Sequence, residues 1–289
     1  MVVDQITRAL GHGAFGTTFH VVENLTGKEC AWKRITIANE KDRQMAQSEV
    51  EMLQRVRGEF LVSFLGSFED KHDFYILMEY CNQGDLRQYI NNLIEQNEHI
   101  SEDNMWNLLA QMVIALHNLH DMDIIHRDLK PENIFLTGQN HVKIGDFGLA
   151  RIAQNTQQYY TRVGGTTVYF SPELLEDEES DSDSSNDDIT TIVNKKQIKI
   201  VVQTKESDIF ALGEICYELL TLKHPFENKR GKITNKRIRK CKPKKFPSQI
   251  SEQLKQIVIM MLNKDPIRRP TTEQLLEHPE IARRFLIFF

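Results

Sequence analysis

Long apolar runs are missing from this sequence. None of its 289 residues lies in a stretch approaching the roughly 18 apolar residues of a membrane-spanning helix, so no membrane partner is expected. Cysteine is scarce: Cys30, Cys81, Cys216 and Cys241 are scattered, with no C-x-x-C spacing. That argues against a disulfide framework or a zinc site and suits reduced thiols. The expected compartment is therefore the cytoplasm, with the nucleus as the alternative. Residues Met1 to Arg8 hold no apolar core of a secretory signal, so none is expected. No internal repeat is present. A positive excess is also absent, and the net charge of −5 counts against the chain as a whole being a nucleic-acid binder. What remains is an ordinary globular composition, 40% hydrophobic and 27% charged, long enough for one large or two medium domains.

The densest chemistry lies between His126 and Gly148. His126-Arg127-Asp128-Leu129-Lys130-Pro131-Glu132-Asn133 leads into two apolar runs, Ile134-Phe135-Leu136 and His141-Val142-Lys143-Ile144, followed by Gly145-Asp146-Phe147-Gly148. The Thr137-Gly138-Gln139-Asn140 turn between the runs predicts a hairpin, and a hairpin brings Asn133 and Asp146 together. Their carboxylate and amide oxygens are hard ligands that suit Mg²⁺. Asp128, five residues before Asn133, would sit beside that metal as a base.

Upstream, Leu10-Gly11-His12-Gly13-Ala14-Phe15-Gly16 has the G-x-G-x-x-G spacing that lets backbone N–H groups approach phosphates. In a dinucleotide fold a helix follows this pattern directly. Here Thr17 to Val22 is β-branched and aromatic, which predicts a strand. Ala31-Trp32-Lys33 falls on the next strand. A helix is expected over 40–57, with Met45, Glu49, Leu53 and Val56 on one face. Glu49 is thus a carboxylate on an apolar stripe and needs a partner, and Lys33 is the obvious one. Glu51 falls on a solvated face. Strands are expected over 61–68 and 74–80, then Met78-Glu79-Tyr80-Cys81 running into a Gly84 turn and a helix over 86–96.

Ser101, followed by Glu102 and Asp103, predicts the start of a core helix. After Gly148 comes a polar segment with Thr156, Tyr159, Tyr160 and Thr161, then Gly164-Gly165-Thr166 and Ser171-Pro172-Glu173. Arg127 is expected to be an unpaired cation that a phosphate on this segment would satisfy. Thr161 is the first choice, and Thr156 and Tyr160 are the alternatives. Residues 176–188 are almost wholly acid and serine, within an insert placed at about 176–204 and expected to be disordered. Ser207 to Leu220 is nearly all apolar and should be a central helix. Residues 229–245 hold ten Lys or Arg and no acid. That stretch reads as a solvated basic loop and helix, a docking surface for acidic proteins, a partner for the acidic insert, a nuclear-localisation signal or an RNA contact. A capping box at Thr271 to Gln274 predicts the last helix.

These strings, in this order from about residue 4 to 280, resemble a eukaryotic protein kinase. Lys130 and Thr166 are similar to the serine/threonine branch. Met78 to Cys81 followed by Gly84-Asp85-Leu86, together with Phe135, is similar to the NIMA-related (Nek) family. The acidic insert, the doubled glycine and the lack of a coiled-coil tail depart from that family. The resemblance implies a bilobal α+β fold: an N-lobe over 1–79, a hinge over 79–84 and a C-lobe over 85–289. It implies ATP and Mg²⁺, with protein Ser/Thr substrates. Leu10, Gly11, His12, Gly13, Ala14, Phe15, Gly16, Thr17 and Thr18 would cover the nucleotide. Lys33 would grip its phosphates, and Ala31, Met78 as gatekeeper, Glu79, Cys81 and Phe135 would surround the adenine. Asp128, Lys130, Lys33 and Glu49 would be catalytic. Asn133 and Asp146 would hold metal. Arg127, Thr161 and Thr166 would be regulatory, Asp208 would brace the loop around Asp128, and Arg269 would pair with Glu173. Thr18, Trp32 and Phe210 replace customary residues and leave an inactive scaffold as the alternative, and residues 229–245 alone raise an RNA-binding one.

Overall fold

The computed structural model describes residues 5–13, 16–138, 141–152, 167–175 and 203–288. Strands β1 (Gln5–Gly13), β2 (Gly16–Val22), β3 (Glu29–Thr36), β4 (Phe64–Asp70) and β5 (Asp73–Glu79) form an antiparallel sheet in the order β1-β2-β3-β5-β4. The β2–β3 register sets Thr18 opposite Lys33, and the β3–β5 register sets Ala31 opposite Met78. Trp32 points to the other face, where its ring meets Phe68 and Tyr75 at 5.3 and 5.9 Å, so the bulky replacement is absorbed by an aromatic cluster outside the cleft.

Helix α1 (Glu40–Arg55) starts at a capping box formed by Asn39 and Asp42. Its buried residues are Ala46, Glu49, Val50, Met52 and Leu53. Met45 does not share that face, being 45% exposed. Four-residue spacing advances about 40° per step, so Met45 lies well round the helix from Leu53 while Ala46 and Val50 close the stripe. The strand expected over 61–68 begins later, at Phe64. Phe60 to Val62 instead bond to Ile144: Ile144 N–H donates to Phe60 O at 2.9 Å and Val62 N–H to Ile144 O at 2.9 Å. This link fastens the sheet to the rest of the molecule.

The remainder is helical: α2 (Leu86–Gln96), α3 (Glu102–Asp121), α4 (Lys205–Thr221), α5 (Asn235–Lys240), α6 (Glu252–Met261), α7 (Thr272–Leu276) and α8 (Pro279–Phe288). Between α3 and α4 lie short strands β6 (Ile124–Ile125), β7 (Ile134–Thr137), β8 (His141–Ile144) and β9 (Arg151–Ile152). Asp85 caps α2 through Gln88 N–H at 2.9 Å, and Ser101 caps α3 through Asn104 N–H at 3.3 Å. Ser207 through Leu220 of α4 are all buried, which makes α4 the axis of this part, as its composition requires. The capping box at Thr271 opens α7, but α7 is not the last helix. His278 and Pro279 interrupt it, and α8 packs on α3 with Ile281 and Arg284 buried.

Candidate active site

The β7–β8 hairpin pairs Ile134 with Ile144, and Gly145 N–H donates to Asn133 O at 3.0 Å, so the two ends do meet. Asn133 Nδ2 donates to Asp128 O at 2.8 Å and to Asp128 Oδ2 at 3.0 Å, while Lys130 Nζ stands 2.6 Å from the same Oδ2. Asp146 adopts φ +61°, a left-handed conformation that a non-glycine residue holds only under constraint from its surroundings. The constraints are visible on both sides. Gly145 O accepts from His126 Nε2 at 3.0 Å, and Phe147 is fully buried 5.4 Å from the His126 ring. Gly145 itself admits no side chain, because a Cβ there would lie 2.7 Å from Val62 and 3.0 Å from Phe135.

Across the cleft, Lys33 Nζ lies 2.7 Å from Glu49 Oε1 and 3.2 Å from Asp146 Oδ1. Burial pulls the Lys33 ammonium down, but Glu49 and Asp146 outweigh it and raise it above its ordinary value. Burial likewise opposes ionisation of Asp146, yet Lys33 holds that carboxyl below the usual range. Burial pushes the Glu49 carboxyl up, against the opposing pull of Lys33. Glycine-loop residues Gly11, His12 and Gly13 face Thr18, Thr17 and Gly16 across the β1–β2 pair. Gly16 has φ +143°, and a Cβ there would fall 2.0 Å from Arg34 O. Ala14, Phe15, Thr161, Thr166 and residues 176–202 lie outside the described residues.

The segment after β5 is tied to β7: Gln83 N–H donates to Leu136 O at 3.0 Å and Leu136 N–H to Gly84 O at 2.8 Å. This seats Phe135 beside the connection. Cys81 is half-buried there, next to the Lys143–Glu79 ion pair at 3.1 Å. Burial and Glu79 push its thiol up to about 12, against Lys143.

The loop around Asp128 is braced from below. Asp208, 2% exposed, accepts from His126 N–H at 2.8 Å, Arg127 N–H at 3.0 Å and His120 Nε2 at 3.1 Å. Burial opposes its charge, but these partners keep its carboxyl below the ordinary range. Arg269 grips Glu173 with two bonds of 2.7 Å and lies 4.8 Å over the Phe210 ring, so Phe210 serves as an aromatic floor. Arg127, expected to need an anion, donates from its Nε to the neutral Gln203 Oε1 at 2.5 Å.

The sequence model of the protein kinase domain matches residues 5–190 and 194–281. The chain belongs to the protein kinase family. Its sheet and its helical remainder are the two lobes of that α+β fold. The chain is 34% identical over 286 residues to the probable serine/threonine-protein kinase nek2 of Dictyostelium discoideum, covering 96% of this chain and 62% of that protein. It is 31% identical to the human serine/threonine-protein kinase Nek2, covering 96% and 59%, and 33% identical to mouse Nek1, covering 95% and 21%. It thus spans at most about three fifths of these relatives' lengths. A further cluster around Arg87 carries no sequence motif. Arg87 bonds Glu132 at 3.0 Å, Glu218 at 2.7 Å and the Tyr169 hydroxyl, which itself donates to Glu218. The signal was available: Glu218 is a carboxylate in a largely apolar helix, the argument that singled out Glu49.

Proposed function

We propose that this kinase transfers the γ-phosphate of ATP to serine or threonine hydroxyls of protein substrates. One observation carries the reading. Lys33 bridges Glu49 and Asp146 at 2.7 and 3.2 Å across the cleft, while Asn133 and Lys130 hold Asp128 beneath it. Lys33 binds the α- and β-phosphates, oriented by Glu49, under the backbone of Gly11, Gly13 and Gly16. Ala31, Met78, Glu79, Cys81 and Phe135 enclose the adenine, with Leu10, His12, Thr17 and Thr18 on its roof. The donor set fits Mg²⁺. Among the described residues, Asn133 spends its Nδ2 on Asp128 and keeps Oδ1 as an acceptor, while Asp146 meets Lys33 through Oδ1. Among the described residues no cluster of three His, Cys, Asp or Glu side chains offers a softer site. Bound there, Mg²⁺ would neutralise phosphate charge. Asp128 orients the acceptor hydroxyl and takes its proton, and Lys130 neutralises the γ-phosphate.

The reading divides the chain into an N-lobe over 1–79, a hinge over 79–84 and a C-lobe over 85–289. Seven of the ten basic residues in 229–245 are exposed, which suits an acidic protein partner. Arg237 and Lys244 are spent internally, on Phe226 O at 2.6 Å and Glu227 Oε1 at 3.0 Å. The cytoplasm is the proposed compartment, with the nucleus as the alternative.

The test is phosphorylation of a generic Ser/Thr peptide with ATP and Mg²⁺. Asp128→Ala is expected to lower kcat by roughly 10²- to 10⁴-fold, the contribution of a positioned base. Equal turnover by the variant would sink the assignment. Nucleotide binding without turnover by the parent chain would make it a binding scaffold.

A further inference from the structure

Arg127 carries φ +72°, which a side-chain-bearing residue holds only where its surroundings over-determine it. One determinant is Asp208, which accepts from the Arg127 amide at 3.0 Å. Gln203 contacts the same residue at two other points. Its Oε1 accepts from Arg127 Nε at 2.5 Å, and its Nε2 donates to the Arg127 carbonyl at 3.1 Å. The chemistry leaves the amide one orientation. Turned over, it would set NH₂ against a guanidinium N–H and carbonyl against carbonyl. The Arg127 carbonyl belongs to the peptide plane that leads into Asp128. Holding that oxygen sets ψ of Arg127 and the direction in which the Asp128 chain leaves it. Gln203 also lines the pocket shared by Asp128, Lys130 and Phe170.

We propose that Gln203 is a positioning residue for phosphoryl transfer, a neutral amide clamp that holds Arg127 and the Arg127–Asp128 peptide in register without a phosphate. The inference rests on reading the site as that of a kinase. It makes part of the catalytic loop's order a property of the unmodified chain.

The experiment uses the whole chain after phosphatase treatment, as parent, Gln203→Ala and Gln203→Glu. It records kcat, KM for ATP and for peptide, melting temperature, and hydrogen exchange of amides 126–130. Gln203→Ala is expected to lower kcat about tenfold, leave KM for ATP within about twofold, and speed exchange at Arg127 and Asp128 by about tenfold, with the melting temperature nearly unchanged. These sizes correspond to losing one hydrogen bond to a charged group. Gln203→Glu keeps the acceptor for the guanidinium and loses the donor to the carbonyl, so it falls between the two. Unchanged kcat and exchange in Gln203→Ala overturn the proposal. So does a loss shared equally among kcat, KM for ATP and melting temperature, which marks a merely structural residue. If the parent shows no turnover but exchange responds as stated, the clamp stands and the kinase reading falls.

Discussion

Glu214 and His224 meet inside the helical lobe, Oε1 to Nε2 3.5 Å, both nearly inaccessible. Among the described residues neither Glu214 oxygen has a hydrogen-bond donor. Burial raises the Glu214 carboxyl well above its ordinary value, Glu218 adds to this, and Arg269 opposes it. Burial lowers His224 from 6.5 to about 4, against Val168 and Glu227. The two groups act on opposite limbs of the stability curve. Glu214 binds its proton more tightly when folded, so its contribution is full below the ordinary carboxyl range and is lost as pH rises through its folded value. His224 sheds its proton more readily when folded, so its contribution is present above 6.5 and is lost as pH falls towards about 4. Glu214→Met keeps the length and removes the unsatisfied carboxyl. It is expected to stabilise the chain by roughly 1–3 kcal/mol at pH 8 and by less at pH 5, read from urea midpoints. A less stable variant at pH 8 contradicts this account. Glu49 was legible as a functional carboxylate because it interrupts an apolar stripe. Glu214 and Glu218 interrupt α4 in the same way, one turn apart, and the same rule applied there finds both.

At the scale of elements, α4 packs against α6 at Gly213. A Cβ on Gly213 would lie 2.9 Å from Met261 Cβ and 3.1 Å from Leu262 Cγ. Two effects compete in Gly213→Ala. Helix propensity favours alanine by about 1 kcal/mol, and overpacking costs about 1–3 kcal/mol. Met261 Cβ is rigidly tied to its backbone and cannot swing away, so overpacking wins. The variant is expected to melt about 2–4 °C lower by calorimetry; an equal or higher melting temperature means that α6 yields. Elements with their own period and caps were legible, among them α1, α3, α4 and the β7–β8 hairpin. The misplaced edges have tertiary causes. Leu61 and Val62 pattern as strand but are recruited by Ile144, and a helix end near Thr272 gives way to a second helix because α3 offers a surface for Ile281 and Arg284. The Gln203 clamp was not legible at all, since 76 residues separate it from Arg127 and its residue type suggests only a polar loop.

For the whole molecule, several contacts join the sheet to the helical part. Lys33 to Asp146, Phe60 and Val62 to Ile144, and Gln83 and Gly84 to Leu136 all converge on the β7–β8 hairpin and the residues just after it. The hairpin therefore belongs to both lobes, and the cleft between them opens onto it. Half-buried Cys81 lies at the edge of that cleft. A thiol moved from 9.0 to about 12 holds about a thousandth of the usual thiolate at neutral pH. The greater nucleophilicity of the more basic sulfur recovers part of the loss, which leaves alkylation on the order of ten- to a hundredfold slower than for an ordinary cysteine. Iodoacetamide is expected to label Cys81 slower by about that factor in the native chain than in urea, followed by peptide mass spectrometry, and equal rates would show an ordinary thiol. The edge of the cleft at Cys81 is thus chemically quiet: electrophiles and peroxide that reach it meet a sulfur that keeps its proton.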